Sequence, residues 1–170
     1  PALDERYIGY SDLSYKIIKG KKSKLKSRNT IKLADSILNT TSPYVFVNKH
    51  DQRIFEEVVK DVKTVRLGGD CYSYCLLADG HVDIILESGI KPWDIRALEP
   101  IIKNAGGILR TWEGDNIFNG GRIIAAANKK LFSVCHQITL IIKCFFSQHI
   151  MAISIKIHYP LWYNVSFVIF

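Results

Sequence analysis

The run VRLGGDCYSYCLLADGHVDIILESGIKPWDIRALEP, residues 65–100, decides how this chain folds. Val65 to Leu67 is a short strand stopped by Gly68-Gly69-Asp70, a tight turn that only glycines enter freely. Cys71 to Ala78 follows as a short helix, and Gly80 sits where a helix ends. Val82 to Glu87 is an apolar strand with Asp83 near its start, and Ser88 to Pro92 is a turn. Asp94 then caps a third helix with Ala97, Leu98, Ile101, Ile102 and Ala105 on its inner face, closed by Gly106-Gly107. Strands and helices that alternate in this way predict a layered α/β domain.

The flanks extend the pattern. Ala34 to Thr40 reads as a strand stopped by Ser42-Pro43. Ile54, Phe55, Val58, Val59 and Val62 recur at helical spacing behind Asp51, placed as the N-cap. Ile108 to Trp112 and Arg122 to Ala127 are further strands joined by the polar turn Glu113 to Gly121. Upstream, Leu3 to Tyr10 is a strand end with a turn at Gly9. Lys16 to Arg28 carries seven basic residues in thirteen and no acid. Without an aromatic platform it reads as a solvated hairpin turning at Gly20 rather than a nucleic-acid patch. There is no internal repeat.

The length of 170 residues suits one domain. With 48% hydrophobic and 23% charged residues, the composition excludes a fully disordered or collagen-like chain. The net charge of +7 is unevenly spread: all 16 acids precede Leu131, and residues 132–170 hold two lysines and no acid. That break divides the chain into a domain, 1–131, and an atypical apolar tail, 132–170. In the tail Val134, Ile138, Ile141 and Ile142 form a possible helix stripe, and the remainder reads as unfolded or as read-through translation. Its longest stretch free of Lys and Arg, Ile157 to Phe170, is shorter than the roughly 20 residues of a spanning helix, so no membrane anchor is expected. No basic-then-apolar leader opens the sequence, which points to the cytoplasm. Cys71, Cys75, Cys135 and Cys144 lack a second zinc-type pair and read as buried free thiols.

Two strand-to-helix turns carry the candidate chemistry: Arg66-Leu67-Gly68-Gly69-Asp70, and Glu87 through Asp94. Open α/β folds bind ligands beyond the carboxyl ends of their strands, where helix N-termini favour anions. A carboxylate there suits Mg²⁺, which prefers hard oxygens. Taken singly, Asp70 and Asp94 read first as helix caps and Glu87 as a solvated strand end. Arg66 reads as a surface charge or a partner of Asp70, and Trp93 and Trp112 as packing residues. The residues alone thus give an acidic, anion-friendly cleft and no reaction.

The stretch Lys91-Pro-Trp-Asp-Ile-Arg-Ala-Leu-Glu-Pro-Ile-Ile-Lys-Asn-Ala-Gly-Gly107 resembles the second signature of the inositol monophosphatase-like, metal-dependent phosphatases. Gly68 to Tyr74, Thr40-Thr41-Ser42-Pro43 and the Lys-Pro-Trp-Asp context look closest to the histidinol-phosphate phosphatase branch. The resemblance covers roughly residues 3 to 130. It implies the C-terminal half of a layered α/β/α sugar-phosphatase-type fold, and Mg²⁺-dependent hydrolysis of a small phosphate monoester. Histidinol phosphate, in histidine biosynthesis, is the expected substrate, with an inositol phosphate second. By the same resemblance Asp94 ligates Mg²⁺ and Glu87 faces the alcohol or amine side of the substrate. Asp70 selects a cationic substrate, Arg66 touches its phosphate, and Gly68 and Gly69 allow close approach. No nucleic-acid or membrane partner is implied; intact relatives commonly pair as homodimers. Two departures stand out. Arg96 replaces a small residue two positions after the metal ligand, where it either crowds the metal or points outward. The first signature, Asp-Pro-(Ile/Leu)-Asp-Gly-Thr, is absent, as is the Glu upstream of it. The expectation is therefore a family member inactive on its own; the alternative is a non-catalytic remnant or partner-binding fragment.

Overall fold

The computed structural model describes residues 4–147. Three antiparallel strands come first: β1 (Glu5–Tyr10), β2 (Leu13–Ile18) and β3 (Lys21–Lys24). The basic segment is the expected hairpin. Lys19 and Gly20 both adopt positive φ, the two-residue turn that matches strand twist. The turn expected at Gly9 lies instead at Ser11-Asp12, and Gly9 stays inside β1. Its lack of a side chain serves packing: an added Cβ would lie 2.5 Å from the Ile101 nitrogen.

The remaining strands form a five-stranded sheet. They are β4 (Ile37–Thr40), β5 (Thr64–Leu67), β6 (Ile84–Ile90), β7 (Ile108–Thr111) and β8 (Gly121–Ala126), in the order β5-β4-β6-β8-β7. β4 is parallel to β5 and β6; β8 is antiparallel to β6 and β7. The segment expected as the start of β4 is a 3₁₀ turn, Leu33–Asp35. β6 outruns its expected end by three residues and holds a register shift between Glu87 and Ile90.

Helices α1 (Lys49–Asp61) and α5 (Lys129–Ser147) cover one face of this sheet, where Ile54, Val58, Leu131 and Cys135 pack on Leu38, Ile84, Leu86 and Trp112. Helices α2 (Asp70–Ala78) and α4 (Glu99–Asn104) cover the other, where Leu77, Ile102 and Ala105 meet Ile85, Leu109 and Ala125. The β1–β3 sheet packs outside α4 as a further layer. The layered α/β/α expectation holds for the core.

Three helix expectations need correction. The N-cap of α1 is Asn48, whose side chain accepts from the Asp51 N–H at 2.8 Å; Asp51 lies inside the helix and is buried. The third helix is broken into α3 (Pro92–Ile95), a 3₁₀ turn (Arg96–Leu98) and α4, with prolines opening both helical pieces. Helix α5 runs across the division expected after residue 131: Leu131, Cys135 and Thr139 are all buried. The break in charge composition misled because this helix meets the core with its apolar face and needs no acid to do so. Residues 148–170 of the expected tail lie outside the described residues. Among the described residues no helix is long and apolar enough to cross a membrane.

If α5 is part of the core, Leu131→Ala should cost about 2–5 kcal/mol in urea unfolding. Leu140→Ala, on the same helix but exposed, should cost no more than about 0.5 kcal/mol. Equal, small effects would show that the helix does not belong to the folded unit.

Candidate functional site

The parallel pairing of β5, β4 and β6 sets their carboxyl ends along one edge of the sheet. The β7–β8 connection emerges at the same edge, because β8 runs the other way. Thr41, Gly68-Gly69, Glu87 and the α3 turn therefore meet there, at the side where open α/β sheets bind ligands.

Glu87 is the centre of this edge. Its residue is only 2% exposed, and Oε1 accepts from both the Thr41 N–H (2.7 Å) and the Thr41 hydroxyl (2.6 Å). The reading of Glu87 as a solvated strand end is thus corrected: it is the last buried residue of β6. Burial pushes its pKa up, the Thr41 bonds oppose this, and the charges of Asp70 and Asp94 push it further up. The expected acids thus share one electrostatic environment.

Asp70 is the first residue of α2, behind Gly69, which occupies the cap position with φ 100°. At that φ a side chain is strained, and an added Cβ would also sit 2.4 Å from Ser73 Oγ. Gly68 N–H is turned inward onto the Thr40 and Thr41 carbonyls, each at 3.0 Å, while the space where its Cβ would point is open. Asp94 is exposed and is not the N-cap of its turn. It is the third residue, and its Oδ2 accepts from the Lys91 N–H at 3.0 Å. Arg66 is exposed on β5 and makes no ion pair with Asp70. Trp93, read as a packing residue, is 78% exposed beside Asp94; Trp112 is buried as expected. Cys71 is exposed rather than buried, while Cys75 and Cys135 are buried free thiols.

Sequence reasoning missed the supports of this edge. Tyr74, one turn into α2, is buried with an unpartnered hydroxyl; burial first, then Glu87 and Asp94, raise its pKa. Asp51 accepts from the Ser88 hydroxyl at 2.6 Å and pairs with Arg122 at 3.3 Å and His50 at 3.2 Å. Arg122 also pairs with Glu113. Burial alone would raise Asp51, but Ser88, His50 and Arg122 overrule it and hold the carboxyl below its usual range. The signal was available: Asp51 falls in register with Ile54 and Val58 on the inner stripe of α1.

Hard oxygen donors suit Mg²⁺. Yet among the described residues no group of three His, Cys, Asp or Glu side chains converges closely enough to hold an ion. Asp94 keeps Oδ1 unbonded and fits as one ligand; the described residues do not complete a site.

The Glu87 shift carries a stability consequence. The folded state holds this proton more tightly than the unfolded chain, so stability falls as pH rises through the window above the usual glutamate value of 4.5. Glu87→Gln keeps an acceptor for Thr41 and removes the buried charge. In urea unfolding it should be more stable than wild type at pH 7, with the gap closing as the pH is lowered toward 4. A gap that widens on acidification would reverse the assignment.

Comparison with known proteins agrees with the fold. The inositol monophosphatase family profile matches residues 1–141. The chloroplastic bifunctional phosphatase IMPL2 of Arabidopsis thaliana is 40% identical over 119 residues, 67% of this chain and 32% of that protein. The histidinol-phosphatase of Mycobacterium tuberculosis is 43% identical over 61 residues, 36% of this chain and 24% of that one. Among solved structures, an inositol monophosphatase from Zymomonas mobilis superposes with a TM-score of 0.72 at 35% identity, over 80% of this chain and 53% of its own. The chain thus spans between a quarter and about half of the length of these relatives. With its layered fold and the family profile over most of its length, the chain belongs to the inositol monophosphatase family.

Proposed function

We propose that this chain carries the substrate-facing part, and one metal ligand, of a Mg²⁺-dependent phosphate monoester hydrolase whose substrate is histidinol phosphate. The observation that carries the reading is that Asp70, Glu87 and Asp94 all follow strands at the ligand edge of the sheet, where Glu87 is buried and bonded by Thr41 and the charges of Asp70 and Asp94 disfavour its ionisation. In this reading Asp94 offers its unbonded oxygen to Mg²⁺. When bound, the ion polarises the phosphoryl group and supplies an activated water. Arg66 extends its fork toward the phosphate, a geometry that suits phosphate oxygens bidentately. Asp70 faces the ammonium of the amino alcohol, and Glu87, oriented by Thr41, accepts from its alcohol or amine. Gly68 leaves room for the ester to come close.

A single carboxylate holds hydrated Mg²⁺ weakly. The Asp-Pro-(Ile/Leu)-Asp-Gly-Thr signature that supplies further ligands in the family is absent from the sequence. Each metal site removed takes several kcal/mol from transition-state stabilisation. At about 1.4 kcal/mol per factor of ten, the chain alone falls by orders of magnitude. The second reading, a partner-binding fragment without activity, draws support from a collar of exposed apolar side chains at the same edge. Tyr44, Val47, Leu67, Trp93 and Phe118 are all exposed there, with Tyr44 at 90%. Such a collar asks for a cover.

The test is phosphate release from histidinol phosphate and from inositol 1-phosphate, with and without Mg²⁺. The 170-residue chain alone should be inactive. The same chain joined to a family segment carrying Asp-Pro-(Ile/Leu)-Asp-Gly-Thr should hydrolyse histidinol phosphate, and Asp94→Asn should abolish this. In the joined protein Asp70→Ala should weaken the cationic substrate more than the neutral one. Equal loss on both would refute the role given to Asp70, and a joined protein silent on both would favour the partner-binding reading.

A further inference from the structure

Building on the reading of Asp94 as a ligand, we propose that Arg96 is a positioning residue: it latches the β7–β8 connection onto the turn that carries Asp94. Its guanidinium donates from Nε (3.0 Å) and Nη2 (2.6 Å) to the Phe118 carbonyl, and its carbon lies 4.1 Å from the centre of the Phe118 ring. The cation is therefore spent on a carbonyl and a ring face, and it pairs with none of the described acids. The guanidinium thus faces the β7–β8 connection and makes no ion pair with Asp94.

The turn needs such a hold. Pro92–Ile95 is a single helical turn that passes at once into the 3₁₀ turn Arg96–Leu98. One turn fixes several backbone angles for very few hydrogen bonds and is not stable by itself. The connection grips it from both sides. At one end Gly120 sits so close that an added Cβ would lie 2.2 Å from the Ile90 carbonyl oxygen, and at φ 69° it favours glycine in any case. At the other end Phe118 meets Arg96. Just ahead of both holds, Ile117 is buried in the core and its carbonyl accepts from the Gly120 N–H at 2.9 Å. Residues 91–96, including Asp94 and its bond to the Lys91 N–H, are thus bracketed by one loop. The fork and the flat face are both required, so lysine is a poor substitute.

Amide hydrogen exchange on the full 170-residue chain, without metal or substrate, tests the latch. Arg96→Ala should speed exchange at both the Gly120 and the Lys91 amides by about tenfold, the size expected on losing one such bond. Arg96→Lys should fall between it and wild type, and it keeps the test open should the alanine variant fold poorly. Faster exchange at Gly120 with Lys91 unmoved would mean that Arg96 holds only its own loop, and the proposal would fail. No change at either amide would also overturn it. Because no ion or ester is present, the outcome stands apart from whether Asp94 binds metal.

Discussion

Two hydrogen bonds from Thr41 to one buried carboxylate oxygen of Glu87 tie the end of β4 to the end of β6, and the ligand edge is organised around them. Burying a carboxylate costs free energy unless it is bonded. Here the Thr41 N–H and hydroxyl compensate in part, while Asp70 and Asp94 add repulsion. The balance leaves the Glu87 pKa above its usual value. In the proposed function this buried charge faces a positive group, metal or ammonium.

The surrounding structure exists to hold that edge in register. Ser88, next along β6, is fixed by Asp51 from α1, and Asp51 is in turn held by Arg122 at the start of β8. On the opposite face, Ser73 donates to the Gly68 carbonyl at 2.9 Å and so shapes the glycine turn from within α2. Buried polar networks of this kind are expensive when half satisfied and rigid when complete. They place the supports of the acidic edge on both helical layers.

Much of this was legible from sequence where one period dominates. The stripe Ile54, Val58, Val62 gave α1, and the apolar run before Glu87 gave β6, because burial selects those spacings directly. The acids of the edge stand after strands in the sequence, and the topology sets those strand ends along one edge; the roles given to them rest on the family resemblance. What stayed hidden depended on tertiary neighbours. Gly9 looked like a turn, yet it is small because α4 presses on it. Asp51 looked like a cap, yet its carboxylate meets groups from β6 and β8 that are far away in sequence. Trp93 looked like packing, yet the short α3 turn holds it outward. The division at residue 131 runs through α5 because it follows charge, although Cys135, beyond it, packs against the sheet together with Leu131 irrespective of charge.

The proposed function depends on Asp70, Glu87 and Asp94 facing a cation together. A titration of the ¹⁵N-labelled chain with Mn²⁺, a paramagnetic stand-in for Mg²⁺, measures it most directly. The account predicts that amide signals of residues 68–71, 87–89 and 91–95 broaden first and together. Broadening that begins on the acidic outer face of α1, around Glu56, Glu57 and Asp61, or that spreads evenly over all carboxylates, would contradict it.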